Sequence, residues 1–389
     1  MIGDFMYGTP TTLLFGKGVI KHLPEVMAKY GKNVLLTYGG GSVKKLGIYD
    51  EVYKLLKDFH IVELSGIEPN PKYDPSVITG AKLCKENAID VILSVGGGSV
   101  LDCSKAIAAC AKYHGEGWDL ISGKVKAKAA LPIVDIITLA ATGSEYDCGC
   151  VISNTAINDK RGYQDELLFP AFSFMDPEYT FSVSPWHTAC GTADAINHVL
   201  EQFFSAPSSL FNDGIMISAI RSLMTNVKIA LAEPTNYAAR SELMYVCSWG
   251  CNGILSNGAG YSGWPMHSIE HALSAYFDIT HGAGLAIITP RWMEEILSEK
   301  TLERFVTLGK GLFGFEAASE EAMARKVIRA FYEFFEEIGI PMHLGTLGVK
   351  AEKIEEMADH ILANDDTSQD WAYVPLDKAA LIRILEKSM

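Results

Sequence analysis

Asp194 and His198 stand four apart in Thr192-Ala193-Asp194-Ala195-Ile196-Asn197-His198, and His267 and His271 repeat the spacing. On a helix, side chains four apart share a face, one turn from each other. His281 follows ten residues after His271, at the start of His281-Gly282-Ala283-Gly284. Four of the chain's 10 histidines thus fall in two helical stretches and the turn after the second. Three imidazoles and one carboxylate can hold a divalent metal with a coordination position left open. That ligand set suits Fe(II) or Zn(II) and disfavours Mg or Ca. A lone histidine is more often a core or surface residue than a ligand, so His22, His60, His114, His343 and His360 receive no role. His187, after Trp186, reads as a helix-start residue.

A second set of residues suits phosphate. Gly96-Gly97-Gly98-Ser99 follows an apolar strand and opens a helix. Glycines there let backbone N–H groups approach a phosphate with no Cβ in the way, and the helix N-terminus adds positive potential. Three consecutive glycines otherwise cost conformational entropy with no gain in packing. Asp102 and Lys105 follow on the same helix as a local pair near the turn, and Asp102 is counted with the cofactor-binding residues.

Gly39-Gly40-Gly41-Ser42 repeats the arrangement one unit earlier. An acid at the end of an early strand would bind the adenosine ribose of NAD. Tyr38 through Val43 carries none, while the Ser42 hydroxyl with Lys44 and Lys45 suits a 2′-phosphate. Gly40, Gly41 and Ser42 are therefore expected at the cofactor, with NADP favoured over NAD. Gly258-Ala259-Gly260-Tyr261-Ser262-Gly263 also fits G-x-G-x-x-G, but it follows a helical pattern outside any βαβ unit. It reads as a loop before a helix.

The elements that must position these residues alternate in the first half. Asn33–Tyr38, His60–Leu64, Asp90–Val95 and Ile133–Leu139 read as strands. Tyr49–Phe59, Ser76–Asn87 and the stretch after Ser99 read as helices. That alternation means a parallel sheet covered on both faces. Ser184-Pro185 looks like an N-cap and first helical position. Beyond it the period is helical throughout: Thr192–Phe204, Gly214–Leu231, Met266–Tyr276 and Ala322–Ile338. The expected domains are an α/β dinucleotide-binding domain over 1–184 and an all-α metal-binding domain over 185–389.

Composition narrows the class. A chain of 389 residues with 48% hydrophobic and 21% charged residues is globular and long enough for two cores. Lys plus Arg is 33 against Asp plus Glu at 47, and no basic patch is visible, which disfavours a nucleic-acid partner. The start, Met1-Ile2-Gly3-Asp4-Phe5, lacks the features of a signal peptide. The uncharged stretch Leu243–His267 is broken by Gly, Ser and Asn and is a poor bilayer span. A cytoplasmic protein is expected, with no membrane partner. The eight cysteines form no C-x-x-C pair and are expected as free buried thiols.

Five ordered motifs together resemble the iron-containing (group III) alcohol dehydrogenases. They are Gly97-Gly98-Ser99-x-x-Asp102-x-x-Lys105, Thr142-Gly143-Ser144-Glu145, Asp194-x-x-x-His198, His267-x-x-x-His271 and His281-Gly282. The likeness is to the butanol dehydrogenase and NADPH-dependent aldehyde reductase branch, and it spans essentially the whole chain. It implies a Rossmann-like N-terminal domain with a helical C-terminal one, in the manner of dehydroquinate synthase. It implies a metal held by Asp194, His198, His267 and His281, with a nicotinamide cofactor in the cleft. His271 matches a position near nicotinamide and substrate that is usually not a ligand.

The resemblance also implies pyrophosphate contacts at Gly97, Gly98 and Ser99, with Thr138, Thr142 and Ser144 lining the cofactor site. Asn70 and Lys160 match further cofactor-facing positions. Gly40 stands where NAD-preferring relatives carry Asp. A homodimer is implied as well. Two departures bear on substrate choice: Asp147 puts a carboxylate beside the cleft, and Trp264 and Met266 flank His267.

The chemistry expected is hydride transfer between NADP(H) and a small aldehyde or primary alcohol such as butanal or butanol. The metal polarises the substrate oxygen, and His271 or a water chain through the cofactor ribose is the proton donor. Polyol dehydrogenases and sugar-phosphate cyclases of the same fold typically use three protein ligands, so the Asp194/His198 pair argues against them. A metal-dependent hydrolase leaves both glycine turns without a purpose.

Overall fold

The computed structural model describes residues 3–205, 209–261, 263–363 and 372–389. Short strands rich in Val, Ile and Leu, each followed by a helix, can bury both faces only in a parallel sheet. Six strands build it: β1 (Thr12–Phe15), β2 (Asn33–Tyr38), β3 (His60–Leu64), β4 (Val91–Gly96), β5 (Ile133–Ile137) and β8 (Phe172–Met175). They pair in parallel in the order β1-β8-β5-β4-β2-β3. One face carries Leu35, Ile92 and Ile133 against Leu101, Ile107 and Val77. The other carries Val34, Leu36, Leu93 and Ile136 against Leu23, Met27 and Val52.

A polar rung crosses this core. Thr37 is in register with Ser94, Ser94 with Asp135, and Asp135 with Ser173. The Thr37 hydroxyl lies 2.7 Å from that of Ser104, and the Ser173 hydroxyl donates to Asp135 at 2.6 Å. The Thr37 hydroxyl is satisfied from the covering helix and that of Ser173 by its strand neighbour, while Asp135 Oδ2 is buried without a hydrogen-bond partner.

Four strands escape a reading of periodicity. β1 and β8 have four residues each, too few to show a pattern. β6 (Gly149–Asn154) and β7 (Asp159–Gln164) form a separate antiparallel ribbon, and β7 is polar in sequence. The sheet is parallel as expected, with this ribbon added.

The chain forms two compact units. One is Gly8–Val183 with Thr235–Asn252; the other is the N-terminal residues up to Tyr7, Ser184–Pro234 and Gly253–Met389. The expected division at 184/185 thus differs over Thr235–Asn252 and over the N-terminal residues up to Tyr7. The Tyr237–Ser248 helix brings Met244 onto Ile137 and Met175, and the Ser248 hydroxyl donates to Glu145 at 2.7 Å. Helical periodicity shows that a segment has an apolar face, not which core that face covers.

In the helical unit Ser184 caps the Pro185–Phe203 helix by accepting from the His187 N–H at 3.2 Å. Among the described residues no strand follows Met175. The Leu210–Ala232 helix is long and apolar enough to cross a membrane by length and composition. Here it packs on Pro185–Phe203 and carries Asp213, which pairs with both terminal nitrogens of Arg304. His281 opens the helix His281–Glu295 and does not sit in a turn.

That helix approaches Pro185–Phe203 closely. A Cβ on Gly282 would lie 1.9 Å from the Cys190 carbonyl oxygen, so only glycine lets the two backbones meet. Gly282→Ala is expected to destabilise the protein by about 2 kcal/mol or more, read from urea unfolding.

Candidate metal centre and cofactor site

Three elements of the helical unit converge on one carboxylate oxygen. The Pro185–Phe203 helix carries Asp194 and His198, Pro265–Phe277 carries His267, and His281–Glu295 begins with His281. Asp194 Oδ1 lies 3.2 Å from His198 Nε2, 3.7 Å from His267 Nε2 and 3.6 Å from His281 Nε2. Ligand atoms about 2.1 Å from a shared tetrahedral ion stand roughly 3.4 Å from one another, and the three approaches to Asp194 Oδ1 are of that size. Asp194, His267 and His281 bring one ligand atom each within 4.8 Å of one another, whereas His198 joins through Asp194 alone.

The unsatisfied atoms agree with that fit. Asp194 Oδ1 and His267 Nε2 are buried and have no hydrogen-bond partner. Burial alone would raise the Asp194 carboxyl, but the imidazoles of His198 and His281 outweigh it and hold the group well below the usual carboxylate range. Burial works against charge on His267 too, and the Glu201 and Asp194 carboxylates overcome it, raising it to about 9. A buried negative site faced by imidazole nitrogens is one that a divalent cation would satisfy.

His271 stands beside this group. Its ring centroid is 6.2 Å from that of His267 and 5.8 Å from that of His281, and its nitrogens are not among those facing Asp194. Glu270, His271 and His281 also bring one ligand atom each within 4.8 Å of one another. Trp264 lays its ring edge-on to His198 and His267. Met266 is fully buried with its sulfur 3.4 Å from the Thr289 hydroxyl.

Reading the sequence missed two carboxylates here. Glu201 accepts from His267 Nδ1, and Glu270 accepts from His281 Nδ1. The signal was present: each lies three residues beyond a histidine of the site, His198 and His267.

In the α/β unit, β4 runs through Gly96 into the Gly98–Ala111 helix. The first amides of a helix have no partner within it and can meet an anion. The glycines, however, also serve packing, against expectation. A Cβ would fall 2.6 Å from Val100 at Gly96, 3.1 Å from Leu139 at Gly97 and 2.4 Å from Thr142 at Gly98. Gly40 and Gly41 behave oppositely: both are exposed, and a Cβ on either meets nothing within 4 Å. Neither packing nor backbone conformation demands glycine there, which leaves room for a ligand.

The environment of the Gly39–Ser42 turn adds a carboxylate that local sequence did not show. Glu63, on β3, accepts from the hydroxyls of Tyr38, Tyr49 and Tyr53. Burial pushes its carboxyl up, but the three hydroxyls prevail and lower it. The Lys44 ammonium lies 5.2 Å from the Tyr38 ring centre and 4.5 Å from that of Tyr49.

Asp102 and Lys105 do not pair with each other. Asp102 accepts from the Ser144 hydroxyl at 2.7 Å and the Val151 N–H at 2.9 Å. Lys105 is wholly buried; its ammonium donates to the carbonyls of Ser144, Asp147 and Gly149 and, at 2.8 Å, to the Asp147 carboxylate. Asp147, singled out in the sequence as a carboxylate bearing on substrate choice, has its charge taken up by Lys105. Helix and segment 144–151 meet only in the tertiary fold, so i,i+3 spacing misled.

The remaining positions are placed as follows. The Thr138 N–H donates to the Gly96 carbonyl at 2.8 Å, and Thr142 Oγ1 accepts from the Ser144 N–H at 3.2 Å. The Lys160 ammonium donates to Asn70 Oδ1 at 3.0 Å. Gly97 and Ser99 are half-buried at the helix start. The G-x-G-x-x-G match at 258–263 lies in irregular chain, with Ser262 outside the described residues. All eight cysteines are free.

Comparison with known proteins agrees with this geometry. Residues 10–177 match the family described as iron-containing alcohol dehydrogenase, and residues 188–389 match its C-terminal domain. The chain is 42% identical to NADH-dependent butanol dehydrogenase A of Clostridium acetobutylicum, over 99% of both chains. It is 35% identical to the NADPH-dependent aldehyde reductase YqhD of Escherichia coli, over 91% of both. The crystal structure of an NADH-dependent butanol dehydrogenase A from Thermotoga maritima superposes with a TM-score of 0.95 at 35% identity, covering 100% of this chain and 99% of that one. The fold and the site define a metal- and NAD(P)H-using oxidoreductase of alcohols and aldehydes. The chain belongs to the iron-containing alcohol dehydrogenase family.

Two outcomes are expected in the α/β unit. Lys105→Met leaves the Asp147 carboxylate buried without its cation and should cost about 3–5 kcal/mol in chemical unfolding, with part recovered by adding Asp147→Asn. Glu145, fully buried, is raised from 4.5 to about 7, chiefly by burial and despite the Ser248 hydroxyl. Between those values the folded chain holds a proton that the unfolded chain has lost, so this group makes stability fall as pH rises through that window. Glu145→Gln stays neutral and should remove that part of the fall, measured as the variant-minus-wild-type difference in unfolding free energy across the window.

Proposed function

We propose that this chain is an NADP(H)-preferring aldehyde reductase and alcohol dehydrogenase of small substrates such as butanal and butanol. Its divalent metal, Fe(II) or Zn(II), is held by Asp194, His198, His267 and His281. The observation that carries the reading is the convergence of three imidazole Nε2 atoms on one buried, unsatisfied carboxylate oxygen. When bound, the ion supplies Lewis acidity to the substrate oxygen and the nicotinamide supplies the hydride.

The residues of the chain do the rest. The amides at Gly97, Gly98 and Ser99 bind pyrophosphate at the helix start. Thr138, Thr142, Ser144, Asn70 and Lys160 line the cofactor, and Asp102 acts by holding Ser144 in place. His271 holds a proton at an imidazole nitrogen and passes it to the substrate oxygen as charge develops there. At the specificity turn, the open space over Gly40 and Gly41, the Ser42 hydroxyl and the Lys44 ammonium favour a 2′-phosphate. Glu63, the carboxylate near that turn, has its oxygens engaged by tyrosine hydroxyls. The relatives divide on this point: the Clostridium protein is named for NADH and the Escherichia protein for NADPH. A cytoplasmic homodimer belongs to the same proposal; it rests on the family resemblance, and solution mass tests the dimer.

The decisive assay is anaerobic oxidation of NADPH and, in parallel, NADH with butanal, on enzyme stripped by chelator and reloaded with Fe(II) or Zn(II). Activity restored only by metal, and higher with NADPH, is the expected result. A preference for NADH overturns the reading of the turn, and metal-independent turnover overturns the centre. His271→Ala is expected to lower kcat by roughly 100-fold or more with metal content unchanged.

A further inference from the structure

We propose that Glu201 and Glu270 are positioning residues of the metal centre, each bracing a ligand that belongs to another helix. The inference rests on the metal reading above. The Pro185–Phe203 helix carries Asp194 and His198 and, one turn beyond His198, Glu201. Glu201 serves the Pro265–Phe277 helix: it accepts from His267 Nδ1, from the Met266 N–H at 2.5 Å and from the His267 N–H at 3.3 Å. The Pro265–Phe277 helix carries His267 and, one turn beyond, Glu270. Glu270 in turn accepts from His281 Nδ1, at the start of the third helix, and from the Ser274 hydroxyl. Both side chains are fully buried.

A carboxylate can only accept, so each brace keeps the imidazole proton on Nδ1 and turns the Nε2 lone pair toward Asp194 Oδ1. It also makes that nitrogen a stronger donor to a cation. His198 has no such brace, since its buried Nδ1 has no partner. Two of the three imidazoles are thus set in direction before any ion arrives, with Nε2 as the nitrogen left to meet it.

Glu201 has a second task. Trp264, the N-cap of Pro265–Phe277, offers no side-chain acceptor, and Glu201 takes the amides at the second and third helical positions instead. A negative group there also meets the positive end of the helix. Capping and bracing make different demands on the test: a cap supports the fold, whereas a brace supports metal affinity through one histidine.

The test titrates chelator-stripped, full-length wild type, Glu201→Gln and Glu270→Gln with Zn(II) against a chromophoric competitor. Melting of the metal-free proteins is measured alongside. Each variant is expected to bind Zn(II) about 10–100-fold more weakly, with Glu270→Gln melting as the wild type does. In a His267→Ala background, Glu201→Gln should cost no further affinity, because the brace acts through that ring. Wild-type affinity in both variants, or full additivity in the cycle, overturns the inference. Should Glu201→Gln not fold, Glu270→Gln decides alone. A wild type that binds no Zn(II) or Fe(II) overturns the metal reading itself.

Discussion

Burying carboxylates without lysine or arginine beside them is the constraint on which the helical unit depends. Asp194 and Glu201 lie inside the unit, and their neighbours are imidazoles and backbone amides. An isolated buried charge costs far more than most packing can return, so such a group must find counter-charge or hydrogen bonds. The architecture supplies both by drawing three helices together. The approach at Gly282 belongs to the same requirement, since it brings the helix of His281 against the helix of Asp194. Three imidazole nitrogens from three helices then face one carboxylate oxygen, with two further carboxylates behind two of them.

The α/β unit solves a related problem with the opposite sign. Lys105 is a buried cation on the helix that starts at the glycine turn, and it is satisfied by three carbonyls and the Asp147 carboxylate. Asp102, one turn earlier, ties down Ser144 and Val151. Residues 144–151 are thus hung from the helix by two charged groups. Lys105 is held charged because Asp147 and Asp102 outweigh the burial that would otherwise lower it. Burial instead raises Asp102 to about 6, against the pull of Lys105 and Ser144. The polar rung from Thr37 to Ser173 continues the same pattern across the sheet, with partners supplied by the covering helix at Thr37 and by strand register at Ser173.

Family membership and geometry meet at the histidines. The relatives are named for butanol and aldehyde substrates, and the family is named for its iron. What the structure adds is the way three imidazoles are aimed: two by buried carboxylates, one by direct approach to Asp194. Catalysis by a bound ion is sensitive to this aim, because the groups behind the ligands set both affinity and electron donation.

The sequence by itself determined most of the elements and the residues proposed as ligands. The i,i+4 pairs, the glycines after strands and the Ser184-Pro185 helix start are local patterns, and local backbone geometry turns them into faces and termini. It also carried the family, because motifs in fixed order survive as text. Only the tertiary structure decided the partners. Glu201 and Glu270 sit on the same helices as ligands they do not serve, and Lys105 passes over its neighbour Asp102 for Asp147. The glycines at 96 and 98 proved to be crowded by Val100 and Thr142, and Tyr237–Ser248 to belong to the core of the first unit. A linear pattern records which side chains share a face. Which distant group that face meets depends on how helices and strands pack, and that information is spread over the whole chain.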